Sequence, residues 1–418
     1  MKRGFFSLSQ MSNASKTQSV IPHCGQCGLY RHCHSPKMSP TGEGRKKILI
    51  VGEAPGATED SYVDPETKQK GKQFIGESGQ YLRDTLERYD IEPDRDCWFT
   101  NSLICRPVGN KLPSNPVPLI EACRPNLLKT IKELNPNVII LLGGTACKSL
   151  LPVLWKDEIG QIGTWGSWRI PSQVINAWVC PTFHPAYLIR QPGPTLEMKF
   201  RQDIEAAVRL RGKPWKVVPD YKSEVEVIYR PSEASKAIRE LTRRAMRKNI
   251  PIAADYETTC LKPEYERAEI VSCSMSMGSW TISYPWAGET ITATSEMWRS
   301  PIGKIASNMK FEDRWTRFFL GHPVRDWYWD TMIAAHLLDN REKITSVKFQ
   351  AFVLLGMKAW NEHIEPYLKS TGVNHLNRIH ELEMKDLLVY GGLDARLEFE
   401  VARRQIRMME HLQSTVGE

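Results

Sequence analysis

Asp255 and Glu257 stand two positions apart at the end of an apolar run, and alternation along a strand puts both carboxylates on one face. Two carboxylates so placed can hold a divalent cation. Far downstream, Tyr390 and Asp394 lie at i and i+4, which brings a phenol and a carboxylate onto one helical face. They do so despite Gly391 and Gly392, which cost about 1 kcal/mol each in a helix interior. Between the two pairs runs Ser307-Asn308-Met309-Lys310-Phe311-Glu312-Asp313. Glu312 and Asp313 cannot both face one site, because neighbours on a helix point about 100° apart.

The cysteines form a second set. There are ten in 418 residues, concentrated early and with no secretion signal, a usage that suits metal or cluster ligation better than a disulfide framework. Cys24 and Cys27 form a CxxC pair, and Cys105 and Cys123 flank a Pro-rich loop with a helix expected from near Pro118. Four thiolates converging from two loops can hold an iron-sulfur cluster or a zinc ion. Cys33 is a further candidate, whereas Cys97, Cys147, Cys180, Cys260 and Cys273 read as small core residues.

A third set sits where apolar strands give way to loops: Gly52-Glu53-Ala54-Pro55-Gly56, then Asn101 in Thr100-Asn101-Ser102, then His184 in Phe183-His184-Pro185. The first turn can hold backbone donors against a small planar ligand, and the Asn101 amide carries a donor and an acceptor side by side.

These residues need elements to place them. Strands at 48–51, 98–103, 138–142 and 177–182 alternate with helices near 78–89 and 119–134, a βα pattern that predicts a parallel sheet covered on both faces. In open sheets of this kind ligands bind at the carboxyl ends of strands, where all three segments of the third set fall. A helix over 197–210 is followed by Arg211-Gly212-Lys213-Pro214, which breaks the pattern. The second half opens with strands near 225–229 and 250–256 around a helix at 232–247, continues with strands at 269–275 and 280–284, and ends in helical sequence. That order predicts an α+β or mixed α/β layer fold. The expected organisation is a loose tail over 1–20, a first domain over 21–212, a linker over 213–222 and a second domain over 223–418. The net charge of +8 mildly favours a polyanionic partner. No apolar run is long enough for a membrane span, so a soluble cytoplasmic protein is expected.

Taken in order and with the cysteines, Gly52–Gly56, Thr100–Pro107 and Phe183–Arg190 resemble a family 4 uracil-DNA glycosylase over roughly residues 20–212. The resemblance implies a three-layer αβα domain and a 4Fe-4S cluster on Cys24, Cys27, Cys105 and Cys123. It also implies that Gly52 and Glu53 line a uracil pocket, that Phe74 stacks on the flipped base, and that Asn101 reads its edge. His184 would hydrogen-bond uracil O2 as the base leaves. Tyr187, Leu188 and Arg190 would supply apolar wedges and a phosphate anchor on DNA. Water activation is left open among Glu53, Glu59 and stabilisation of the departing anion alone, with Glu53 ranked first.

The ordered set Asp255/Glu257, Asn308–Glu312 and Tyr390/Asp394 resembles the 3′–5′ exonuclease domain of family A DNA polymerases over about residues 223–412, with Asp330-Thr331-Met332 extending it. The resemblance implies a ribonuclease H-like α/β fold and two divalent cations, Mg²⁺ or Mn²⁺, on Asp255, Glu257, Glu312 and Asp394. Tyr390 would orient the attacking water. Glu312 holds the register in which the family has Asp, and Asp313 is the competing choice. No polymerase palm motif occurs in the chain.

The two resemblances together imply a phage-like bifunctional enzyme acting on uracil-containing DNA and on DNA 3′ ends, in a bacterial or phage-infected cytoplasm, beside a separately encoded DNA polymerase. The alternative reading is a nonenzymatic uracil-sensing, polymerase-associated module with a degenerate nuclease.

Overall fold

The computed structural model describes residues 24–214, 217–372 and 375–416. The tail expected over 1–20 lies outside the described residues, as do residues 215 and 216 of the expected linker. The chain divides into two compact units between Val217 and Val218. Among the described residues no helix is long and apolar enough to cross a membrane.

The N-terminal unit carries strands β1 (Ile48–Gly52), β2 (Cys97–Asn101), β3 (Val138–Leu142), β4 (Ile170–Ser172) and β5 (Ala177–Thr182). Its helices are α1 (Ala57–Ser61), α2 (Glu77–Glu87), α3 (Pro93–Asp96), α4 (Val117–Leu134), α5 (Gly143–Leu150), α6 (Ile162–Trp165), α7 (Pro185–Arg190) and α8 (Pro194–Val208). The sheet order is β2-β1-β3-β5-β4, parallel except for β4, which runs antiparallel to β5. Alternate residues Ile48, Ile50, Val138 and Ile140 join Leu82 and Leu86 of α2 and Phe200 and Ile204 of α8 in one core. The intervening residues turn to the opposite face, on which α5 packs with α4 beside it. Both faces are therefore covered, and the β1, β2 and β5 ends lie along one edge of the sheet.

The C-terminal unit carries β6 (Val225–Val227), β7 (Ile252–Thr258), β8 (Ile270–Ser276), β9 (Thr281–Pro285), β10 (Lys304–Ala306) and β11 (Trp327–Asp330). Its helices are α9 (Pro231–Lys248), α10 (Glu289–Arg299), α11 (Lys310–Leu320), α12 (Thr331–Leu338), α13 (Val347–Leu355), α14 (Glu365–Leu368) and α15 (Met384–Val416). The order β11-β10-β7-β8-β9-β6 combines an antiparallel β7-β8-β9 meander with β10 and β11 added parallel beside β7. This is the ribonuclease H-like arrangement. Ile252, Ala254 and Tyr256 of β7 point into the core formed with α9, α10 and Trp315 of α11. Asp255 and Glu257, on the other face of the same strand, point toward α15, which packs across β7, β8 and β9.

Gly391 and Gly392 allow that packing. A Cβ on Gly391 would lie 2.9 Å from Ser274 Oγ, and one on Gly392 would lie 2.3 Å from Val225 Cγ1. The helix gives up propensity there in exchange for close approach to the sheet.

Candidate functional site

At the carboxyl end of β1 the Gly52 carbonyl accepts from both the backbone N–H and the hydroxyl of Ser102, at 2.9 and 2.8 Å, which ties the β1 and β2 ends together. Gly52 has no room for a side chain: a Cβ would sit 2.4 Å from Asn101 Oδ1 and 2.5 Å from Phe74 Cζ. Gly52, Asn101 and Phe74 thus converge on one small space. Phe74 holds a left-handed φ of 54°, a conformation that costs about 1–3 kcal/mol for a non-glycine residue. Arg83 stabilises it, donating from Nε to the Phe74 carbonyl at 2.8 Å while Nη2 pairs with Asp94 at 2.9 Å. Glu53 is exposed, and its carboxylate accepts from Thr145 Oγ1 at 2.6 Å. Glu59 is buried and engaged elsewhere. Its two oxygens accept from the Gly56 and Gly76 N–H groups, so it fastens two turns to each other.

His184 caps α7, with Nδ1 accepting from the Ala186 N–H at 3.2 Å. The ring proton therefore resides on Nε2. Burial, with Arg190 nearby, lowers its pKa to about 4, so the imidazole is neutral at pH 7 and offers an N–H donor. Beyond it the expected DNA-facing set divides. Tyr187 is exposed and stacked on Phe183 with centroids 6.0 Å apart, and Arg190 is exposed. Leu188 is 2% exposed and belongs to the core. The assignment of Leu188 as a DNA wedge is corrected here: 185–190 is a helical turn, and Pro185 and Leu188 share its inward face.

Cys24, Cys27, Cys105 and Cys123 line one pocket with Leu29, Tyr30 and Leu103. All ten cysteines are free thiols. The Lys37 N–H points at Cys105 Sγ from 3.2 Å, and Asn126 Nδ2 lies 3.7 Å from Cys123 Sγ. Burial pushes the Cys105 thiol up to about 12 and raises Cys123, so thiolates in this pocket require a compensating cationic group. Cys33 neighbours Cys105 without lining the pocket.

In the C-terminal unit Asp255, Glu257 and Asp394 each bring a carboxylate oxygen within 4.8 Å of the others. Burial first, and the neighbouring carboxylates second, raise the pKa values of Asp255 and Glu257. Such a group could hold a divalent cation. Lys348 of α13 donates to Tyr390 Oη at 3.1 Å and lies 3.4 Å from both Asp394 oxygens, while Trp360 Nε1 donates to Asp394 Oδ1 at 2.7 Å. Glu312 is not within that triple. It is 2% exposed, its Oε2 has no hydrogen-bond partner, and its pKa is raised by burial and then by Asp255. Asp313 turns outward to Arg317 and to the Val324 N–H.

The comparisons with known proteins fall in part within the N-terminal unit and in part across both units. Residues 39–208 match the model of the uracil DNA glycosylase superfamily. The type-4 uracil-DNA glycosylase of Pyrobaculum aerophilum is 33% identical over 194 residues, covering 45% of this chain and 90% of that protein. The chain belongs to the type-4 uracil-DNA glycosylase family. The matched residues 39–208 lie within the N-terminal unit. A DNA polymerase of Bacillus phage SP01 aligns over 88% of the chain at 24% identity, through 41% of its own length. Brucella melitensis NrnC covers 40% of the chain and 78% of its own, with 16% identity and a TM-score of 0.32.

Several neighbours of the two sites play parts that motif reading does not reveal. Gln73 accepts from Asn101 Nδ2 at 2.6 Å. Asp330, whose motif was read in the sequence but not its role, caps α12 and also accepts from the Asn308 and Met309 N–H groups, fixing the start of α11 and hence Glu312. Glu398, one turn beyond Asp394, is 3% exposed with an unpartnered Oε2. Lys348 and Trp360 lie in a stretch with no acidic motif. The one available signal was the (i, i+4) spacing of Asp394 and Glu398.

Proposed function

We propose that the N-terminal unit hydrolyses the N-glycosidic bond of deoxyuridine in DNA and that the C-terminal unit hydrolyses DNA 3′ ends. The convergence of Gly52, Phe74 and Asn101 at the strand ends, with a neutral His184 at the end of β5, carries the first assignment. Uracil extruded from the stack would lie on Phe74 and present O4 and N3–H to the Asn101 amide. As the C1′–N1 bond breaks, its electron pair passes to the base, and His184 Nε2–H stabilises the anion at O2. Water adds at C1′ and its proton goes to solvent or to the base. Glu53, held by Thr145, orients that water. Tyr187 and Arg190 contact the DNA strand.

Cys24, Cys27, Cys105 and Cys123 would hold a 4Fe-4S cluster, a fit supported by the shared pocket and the N–H groups aimed at sulfur. Asp255, Glu257 and Asp394, with Glu312 behind Asp255, would hold divalent cations. When bound, these would supply Lewis-acid activation and charge neutralisation at the phosphodiester. Tyr390, hydrogen-bonded by Lys348, would orient the water. A DNA polymerase encoded separately is a proposed companion.

The test is strand scission by alkali after incubation with a uracil oligonucleotide. The parent protein should generate abasic sites, and Asn101→Ala and His184→Ala should not at comparable rates. Absence of abasic sites with the parent protein would overturn the assignment.

A further inference from the structure

Gln73 is fully buried beside the base-reading amide, and its hydrogen bonds have a direction that the chemistry of its neighbours dictates. Gln73 Nε2 donates to the Ser39 carbonyl at 3.3 Å. A backbone carbonyl can only accept, so the Gln73 amide must present nitrogen on that side and oxygen on the other. That oxygen, Oε1, accepts from Asn101 Nδ2 at 2.6 Å. The chain Ser39 carbonyl, Gln73, Asn101 therefore leaves Asn101 one sense only, with Oδ1 placed against Gly52.

We infer that Gln73 is a positioning residue that locks the sense of the Asn101 amide and so makes the pocket prefer uracil over cytosine. The inference rests on Asn101 being the base reader. Uracil offers an acceptor at O4 and a donor at N3, whereas cytosine offers a donor at N4 and an acceptor at N3. An asparagine free to rotate by 180° satisfies either base. One that is locked meets cytosine donor to donor and acceptor to acceptor, leaving buried polar groups unpaired, which is the strongest form of discrimination a pocket can exert. Arg83 supports the lock from behind by holding the 73–74 backbone.

The test uses DNA duplexes carrying one 2′-fluoro-2′-deoxyuridine or one 2′-fluoro-2′-deoxycytidine, both slow to lose their base, titrated by fluorescence anisotropy against the full-length protein. The parent should prefer the uracil duplex, and Gln73→Met should reduce that preference by about 10-fold or more, the scale of a buried hydrogen-bond mismatch. Gln73→Glu keeps an acceptor for Asn101 Nδ2 and should retain the preference. A purely structural role would weaken both duplexes together and leave their ratio unchanged. An unchanged ratio in Gln73→Met, or a parent with no preference, overturns the lock. If Gln73→Met does not fold, a 10-fold loss of preference in Gln73→Glu overturns it instead. Asn101→Ala separates the two layers: full uracil preference in that variant refutes the base-reading assignment itself, whereas lost preference there with an unchanged ratio in Gln73→Met refutes only the lock.

Discussion

At the scale of single residues, the two proposed chemistries make distinct demands. Losing one preorganised donor to a developing anion costs about 10²–10³ in rate, so His184→Ala should lower single-turnover uracil excision by that factor while DNA binding persists. The neutral imidazole adds a pH signature. His184 has a folded pKa near 4 against an ordinary 6.5, so between those values the unfolded chain carries a proton that the folded chain lacks. Its contribution to stability is complete above 6.5 and is lost as pH falls through that window. Uracil excision should show no acidic limb near 6.5, and a limb there in the rate profile would contradict a neutral donor. Asp313→Ala should lower the melting temperature, because Asp313 anchors the Val324 N–H and Arg317, and should spare 3′-end hydrolysis. Glu312→Ala should do the reverse in a gel assay of a 3′ ladder. The strand-end residues were legible because each follows an apolar strand. Leu188 was misread because a six-residue helix is too short for periodicity to separate its inward face from its outward one. Gln73 and Lys348 had no motif to mark them, since their importance comes from contacts distant in sequence, 28 and 46 residues away.

At the scale of elements, alternation along β7 divides its labour: Ile252, Ala254 and Tyr256 build the core, while Asp255 and Glu257 meet α15. The approach of α15 depends on its two glycines. Gly392→Ala would drive a methyl to 2.3 Å from Val225, an overpacking expected to cost about 1–3 kcal/mol, measurable as a lower urea midpoint for the C-terminal unit with uracil excision intact. The longer strands and helices were legible from periodicity. β4 and β10, three residues each, and the aromatic β11, Trp327-Tyr328-Trp329-Asp330, were not, because so few residues establish no period and their pairing comes from the rest of the sheet. Those missed strands matter to the site, because β11 ends in Asp330, which fixes the start of α11.

At the scale of the whole molecule, the proposed function joins in one chain two sites with opposite requirements. The proposed base excision at Asn101 and His184 would use neutral donors and no divalent ion, whereas the proposed hydrolysis at Asp255, Glu257 and Asp394 would use divalent cations. The cysteine pocket should yield brown protein with about four iron and four sulfide per chain, lost in Cys105→Ser, and stoichiometric zinc without sulfide would reject the cluster. The central claim is that the two activities reside in separate units and differ in metal dependence. It is tested most directly with a 5′-labelled duplex containing one internal uracil, incubated in EDTA or in Mg²⁺ with parent protein and with an Asp255→Ala/Glu257→Ala variant. The account expects abasic sites from both proteins in EDTA and a 3′-shortened ladder only from the parent in Mg²⁺. Uracil release that needs the metal, or that disappears in the double variant, would contradict it.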